Sequence, residues 1–278
     1  MINHKTTIQF ILPVRHPENV REPQKYASTL LQTINSIAAQ STPNWRCTLV
    51  ANYGSHIPRL PTCMSVVNVD LPPNRHHDDR QISKNMFYRA VRNDKGKRVL
   101  AGILSEPHAR FAMVVDDDDL ISKRLSTFIE ANSGAEGWYI ENGREFWHTG
   151  KRFRSWSIDD FWKVCGSSVI FRPQRVDFPN NIDFESNESV SKLLGSHHFL
   201  KPQLEQQGYP LTAMPFEAAA YRRLNPNSHS STTKMSTLEL ARLRVVNKGL
   251  FRHPLRSAKR IRQFLESEHA FLNEFLNV

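Results

Sequence analysis

Cysteine is scarce, with Cys47, Cys63 and Cys165 the three among 278 residues. The number is odd and no CxxC spacing occurs. That argues against a disulfide framework and a zinc site alike, and makes a reducing cytoplasm the default expectation. Long apolar runs are missing too, and none approaches the roughly 20 residues that cross a bilayer. The opening MINHKTTIQFILPVR holds a short apolar stretch broken by Pro13 and Arg15, so it reads as a first strand rather than a leader. Internal repeats and low-complexity linkers are absent. Acidic residues are the minority charge, 27 against 37 Lys and Arg, giving a net charge of +10. This excess favours a polyanionic partner such as nucleic acid, acidic lipid or a phosphorylated substrate. It is uneven: residues 234–278 mix basic and apolar residues at helical spacing, while the acidic clusters lie earlier.

What is present suits a soluble globular chain, 39% hydrophobic and 23% charged. IQFILP is a short β-branched run, and residues 26–39 then place Leu30, Leu31, Ile34, Ile37 and Ala38 at the spacing of an amphipathic helix. WRCTLVA, MSVVNV and residues 111–115 read as further strands. Residues 81–104 read as two helices separated at Gly96. Strands alternating with helices predict an α/β fold with a mostly parallel central sheet. Further along, 138–140 and 145–148 predict a hairpin around Asn142-Gly143. Residues 165–171 predict a strand, and 199–207 a helix stopped by Gly208. The expected division is a domain over 1–230, with halves 1–120 and 121–230, then a basic helical extension over 231–278.

The most informative stretch is FAMVVDDDDL, an apolar strand running into Asp116, Asp117, Asp118 and Asp119. Ligands gather at the carboxyl ends of strands in parallel sheets. Carboxylates there can hold a hard divalent cation, with Mg²⁺ or Mn²⁺ keeping positions for water and phosphate oxygens. A plainer reading is an Asp-rich turn capping the helix that follows. One Asp would serve for that; four point to a cation.

The order of elements and two motifs resemble family 2 glycosyltransferases of the GT-A fold. One is AQSTPNWRCTLVANYGS, similar to the family's Gln, Pro/Asn loop, Trp-led strand and Gly-Ser turn. The other is VVDDDDLIS, similar to its strand-end Asp-x-Asp-Asp-x-Leu. The resemblance covers roughly residues 6–230. It implies a Rossmann-like GT-A domain that transfers a sugar from a nucleotide-diphosphate donor to a hydroxyl acceptor, with Mn²⁺ or Mg²⁺ as cofactor. Matched by position, it implies nucleotide contacts at Pro13, Val14, Arg15, Asn52, Ser55 and Asp94. Asn52 stands where the family commonly has Asp. Asp116 would face the ribose and Asp118 the metal, Asp119 would support the turn or cap the helix, and Asp117 would lie spare on the nucleotide side. His229 falls where many GT-A enzymes bring a further metal ligand. Gly166 falls in an acceptor-site loop, and Trp156 is a candidate for stacking on a sugar.

The general base is less defined. Inverting family members carry Glu-Asp before a Leu-x-x-x-Leu-x-x-x-Gly helix; alignment on Leu200, Leu204 and Gly208 puts Ser196-His197 there. His197 and His198 are therefore candidate bases, with Asp183, Glu185 and Glu188 as rivals just upstream. The expected acceptor is a glycan or glycolipid in surface polysaccharide or glycoconjugate assembly. The basic tail suggests peripheral contact with the inner face of a membrane. The competing readings are a nucleic-acid-binding protein, for the positive charge, and a metal-dependent nuclease or phosphotransferase, for the carboxylates.

Overall fold

The computed structural model describes residues 6–76, 82–149, 152–223, 225, 227 and 269–276. Strand β1 (Ile8–Pro13) is buried along its whole length. Helix α1 (Pro23–Ala38) follows, with Pro at its first turn and Tyr26, Leu30, Ile34 and Ile37 on its buried face. Then come β2 (Trp45–Asn52), β3 (Met64–Val69), α2 (Lys84–Ser105) and β4 (Phe111–Val114). The aspartate turn leads into β5 (Leu120–Ile121), α3 (Leu125–Ala131), β6 (Gly137–Tyr139), β7 (Gly143–Thr149) and β8 (Arg152–Ile158). Strand β9 (Val169–Phe171), α4 (Glu188–Leu193), α5 (Leu200–Gln206), β10 (Thr212–Ala213) and β11 (Ala219–Arg222) complete the order.

Among the described residues the strands form two sheets, one of seven in the order β10-β6-β9-β4-β1-β2-β3 and one of four in the order β5-β11-β7-β8. β1 pairs in parallel with β2 and β4, and β2 with β3, while β9 runs antiparallel between β4 and β6. The fold is thus α/β with a mixed, mostly parallel central sheet and helices on both faces. Side-chain alternation along β1 explains the layering: Ile8, Phe10 and Leu12 pack with the buried face of α1, whereas Ile11 packs with Val99, Leu100 and Ile103 of α2. Burial on both faces is why the first strands read as near-continuous apolar runs.

Three sequence expectations are corrected. α2 is one uninterrupted helix of 22 residues, because Gly96 is a packing contact and not a break. A Cβ there would sit 2.8 Å from the carbonyl oxygen of Val190 in α4. Second, β6 and β7 do not form a hairpin. Gly143 lacks the positive φ that a two-residue Asn-Gly turn demands, and Trp138 and Ile140 are buried in the main sheet beside Phe111. β6 therefore pairs with β9 and β10, while β7 pairs with β8 and β11 in the second sheet. Third, the strand expected over 165–171 is confined to Val169–Phe171; Cys165, Ser167 and Ser168 turn inward to bond the aspartate turn and their own loop. The extension over 231–278 lies outside the described residues except for 269–276, where a helical segment ends in a π-helical turn, Leu272–Leu276.

In an exposed helix Gly→Ala stabilises by about 1 kcal/mol; at position 96 the close backbone of α4 reverses the sign. Gly96→Ala is expected to lower stability by about 1–3 kcal/mol in urea unfolding. A raised midpoint would show that α2 and α4 do not meet there.

Candidate functional site

The aspartate turn follows β4, whose register with β1 places it beside Pro13, Val14 and Arg15 at the same sheet edge. One cleft there is lined by Pro13, Val14, Arg15, Asp94, Arg98 and Lys95 on one side and Asp116, Asp117 and Asp118 beneath. Gly166, Lys163, His197 and His198 close it.

Each aspartate has its own partners. Asp116 accepts from Lys95 Nζ, and its backbone N–H donates to Ser167 Oγ at 2.8 Å. This pair explains Gly166, where a Cβ would stand 2.2 Å from Asp116 Oδ2. Asp117 is not spare: it accepts from the Tyr26 hydroxyl at 2.6 Å and lies 3.7 Å from Arg15. Asp118 accepts from the neutral amide of Asn225 at 2.7 Å. Asp119 caps no helix; it accepts from Ser167 Oγ at 2.6 Å and Cys165 Sγ at 3.0 Å, tying down the 165–168 loop. Arg222 closes the turn from behind, its Nε donating to the Asp118 carbonyl at 3.0 Å and its Nη2 to Gln32 at 2.6 Å.

The electrostatics set Asp118 and Asp119 apart. Burial, then the neighbouring charges of Asp117 and Asp116, push the Asp118 carboxyl up to about 6, and burial, then Asp118 and Asp116, raise Asp119 well above the usual carboxylate range. Arg15 and Lys95 pair with Asp117 and Asp116. Among the described residues neither Asp118 nor Asp119 has an ion-pair partner, and no group of three or more His, Cys, Asp or Glu side chains gathers around a point. A buried carboxylate short of positive charge suits an added cation. Two carboxylates with the remaining positions left to water and phosphate are an ordinary Mg²⁺ donor set. Asp116 and Asp118 therefore fit a hard divalent cation. Two buried arginines add a second feature. Arg15 and Arg98 each keep one buried Nη1 without a hydrogen-bond partner, and both line the cleft. Arg98 is otherwise held by Asp94, at 2.9 Å through Nη2 and 3.0 Å through Nε.

His197 Nε2 lies 3.1 Å from the Lys163 carbonyl, which assigns the ring proton to that nitrogen. Burial, then His198 and Lys95, push its pKa down to about 4. The rings of His197 and His198 stand 4.0 Å apart. Other expected residues do not line the cleft. Asn52 donates to the Leu71 carbonyl at 2.6 Å, fixing the exit of β3, and Ser55 follows in the same turn. Asp183 lies in a loop, Glu185 faces a separate groove with Arg89 and Arg92, and Trp156 sits on β8 opposite Glu145. His229 lies outside the described residues. Tyr26, Arg98, Arg222 and Asn225 were not anticipated. The spacing of Tyr26 on α1 marks it as core, and only Arg222-Arg223 beside Asn225 in a strand-end YRRLN hinted at a polar role.

The chain is similar in structure to S. aureus TarS. Over TarS 1-349 the identity is 13%, covering 78% of this chain and 60% of that one, with a TM-score of 0.42. A longer TarS chain gives 12% identity over 93% of this chain and 43% of that one, with a TM-score of 0.44. This chain thus spans less than two thirds of either. Rv0371c from Mycobacterium tuberculosis H37Rv is similar at 10% identity, 80% and 93% coverage and a TM-score of 0.37; it is also solved in complex with manganese. No protein-family model matches the chain, and no curated protein does.

Asp118 yields a signed prediction. Its folded pKa is raised above the unfolded value of 3.8 to about 6, so the folded state holds the proton more tightly. Stability from this group is lost as pH rises from about 4 through 6. Unfolding across pH 4–7.5 without divalent cations is expected to show wild type losing on the order of 1–3 kcal/mol relative to Asp118→Asn. Parallel profiles would mean that Asp118 titrates normally.

Proposed function

We propose that the chain is a GT-A glycosyltransferase that moves a sugar from a nucleotide-diphosphate donor to a hydroxyl acceptor. The observation that carries this reading is the joint lining of one cleft by the strand-end aspartates and by two buried arginines with unused N–H groups. A nucleoside diphosphate offers what both lack: phosphate oxygens for the guanidinium donors and ligands that complete a cation site. Asp118 and Asp116 would hold that cation, which when bound neutralises the diphosphate and favours its departure from the sugar. Arg15 and Arg98 bind and orient the anionic donor, preorganised by Asp117 and Asp94. Lys95 adds positive charge beside the leaving phosphates.

His197 and His198 line the same cleft, His197 near Lys95 and Gly166, and are the candidate bases for the acceptor hydroxyl. His197, with a pKa of about 4, is unprotonated at neutral pH. A diphosphate brought close raises that pKa toward the working pH, which strengthens the base only once the donor is in place. Asp183 and Glu185 take no part in this scheme because they lie off the cleft. The setting proposed remains surface polysaccharide or glycoconjugate assembly in the cytoplasm, with a glycan or glycolipid acceptor reached through the basic tail at a membrane face.

Asp118→Ala is expected to abolish Mn²⁺-dependent binding of a nucleoside diphosphate by calorimetry, and Arg98→Lys to weaken it roughly tenfold (about 1.4 kcal/mol). A panel of nucleotide sugars with Mn²⁺, scored by thermal shift and slow donor hydrolysis, tests the reading as a whole. Failure of every donor to stabilise the protein would sink it.

A further inference from the structure

The last described segment of the chain, residues 269–276, sits behind the aspartate turn and not on the cleft. Phe271 and Phe275 are each 2% exposed and share a small core with Leu120, Phe146 and Ala220. Leu120 is the residue directly after Asp119, and β5 is only two residues long, paired among the described strands with β11 and bonded to α1 through Ser36 Oγ, which accepts from the Ile121 N–H at 3.1 Å. So short a strand cannot fix the turn by its own ladder. The segment adds what β5 lacks: Glu274 accepts from Ser122 Oγ and from Arg124 Nε at 2.8 Å, and Asn273 accepts from Lys123 Nζ at 2.9 Å. The backbone joins too, with Lys123 N–H donating to the Glu274 carbonyl at 3.3 Å. A second route runs through side chains. The Phe271 ring lies 5.2 Å from Phe146, Phe146 supports the Arg222 guanidinium at 4.6 Å, and Arg222 holds the Asp118 carbonyl.

We propose that residues 269–276 are a positioning element for the aspartate turn, acting through Leu120, Phe146 and Arg222, so that their docking sets the affinity of Asp116 and Asp118 for a divalent cation. The cation part rests on the reading given under Proposed function; the ordering of the turn does not. Coupling between sites is reciprocal, so a cation bound at the turn also strengthens docking of the segment. None of these residues touches the cleft, so they act on the site only by placing others.

The test uses the full chain, with Phe271→Ala and Glu274→Gln beside Met64→Ala, a buried truncation at the amino end of β3 and away from the cleft, as the destabilised control. Amide hydrogen exchange of residues 115–122 is expected to quicken at least tenfold in both segment variants, while β1 and β2 keep wild-type rates. Calorimetric Mn²⁺ affinity, measured with a nucleoside diphosphate present, is expected to fall roughly tenfold in both, and Met64→Ala to change neither readout. If Phe271→Ala unfolds, Glu274→Gln decides alone. Unchanged exchange at the turn in a folded variant overturns the proposal. Wild-type protein that takes up no Mn²⁺ even with a nucleoside diphosphate present overturns its cation part together with the proposed function, while the exchange result still decides whether the segment orders the turn.

Discussion

Four adjacent carboxylates at the end of a buried strand repel one another and resist burial, and the surrounding elements are arranged to meet them. Asp116 is met by Lys95 from α2, Asp117 by Tyr26 and Arg15 from α1 and the end of β1, and Asp119 by Cys165 and Ser167 from the loop before β9. Asp118 receives a neutral amide and stays short of positive charge. The deficit falls on Asp118 and Asp119, the two carboxylates without an ion-pair partner among the described residues; Asp119 is bonded to Ser167 and Cys165 within the fold, and Asp118 lines the cleft. Removal of a partner from such a group leaves a buried charge uncompensated, which is far more costly than the partner's own contact.

The same constraint links distant parts of the chain. Arg222 and Asn225 approach from the end of β11, more than 100 positions along the chain from the turn they hold. The segment ending at Leu276 covers the turn's far side. The two sheets are therefore joined through the aspartate turn: residues 115–119 lead from β4 in the first sheet to β5 in the second. Local strand geometry alone does not order such a junction, which explains why so many side chains converge on it.

Much of the fold was legible in the sequence because it obeys local rules. β1, β2, β3 and α1 show the apolar runs and helical spacing that burial on two faces of a parallel sheet produces. The aspartate cluster stood out for a related reason, since four carboxylates after VV cannot continue the apolar strand. Legibility failed where tertiary contacts override local signals. Gly96 resembles a break until α4 packs on it, and Asn142-Gly143 resembles a hairpin until the buried Trp138 draws β6 into the main sheet. Asp117 passed for spare because Tyr26 and Arg15 reach it across 91 and 102 positions, a pairing with no local signature. Arg98 was hidden in a basic helix, where a buried guanidinium with an unused N–H cannot be told from a solvated one.

The central claim is that Asp118 carries a divalent cation beside a bound nucleoside diphosphate. Crystals grown with Mn²⁺ and a nucleoside diphosphate, with data collected at the manganese absorption edge, test it most directly. The account predicts one strong anomalous peak within coordination distance of an Asp118 carboxylate oxygen, with phosphate oxygens completing the shell. A nucleotide bound in the cleft with no peak at Asp118, or a peak held by other side chains, would contradict it.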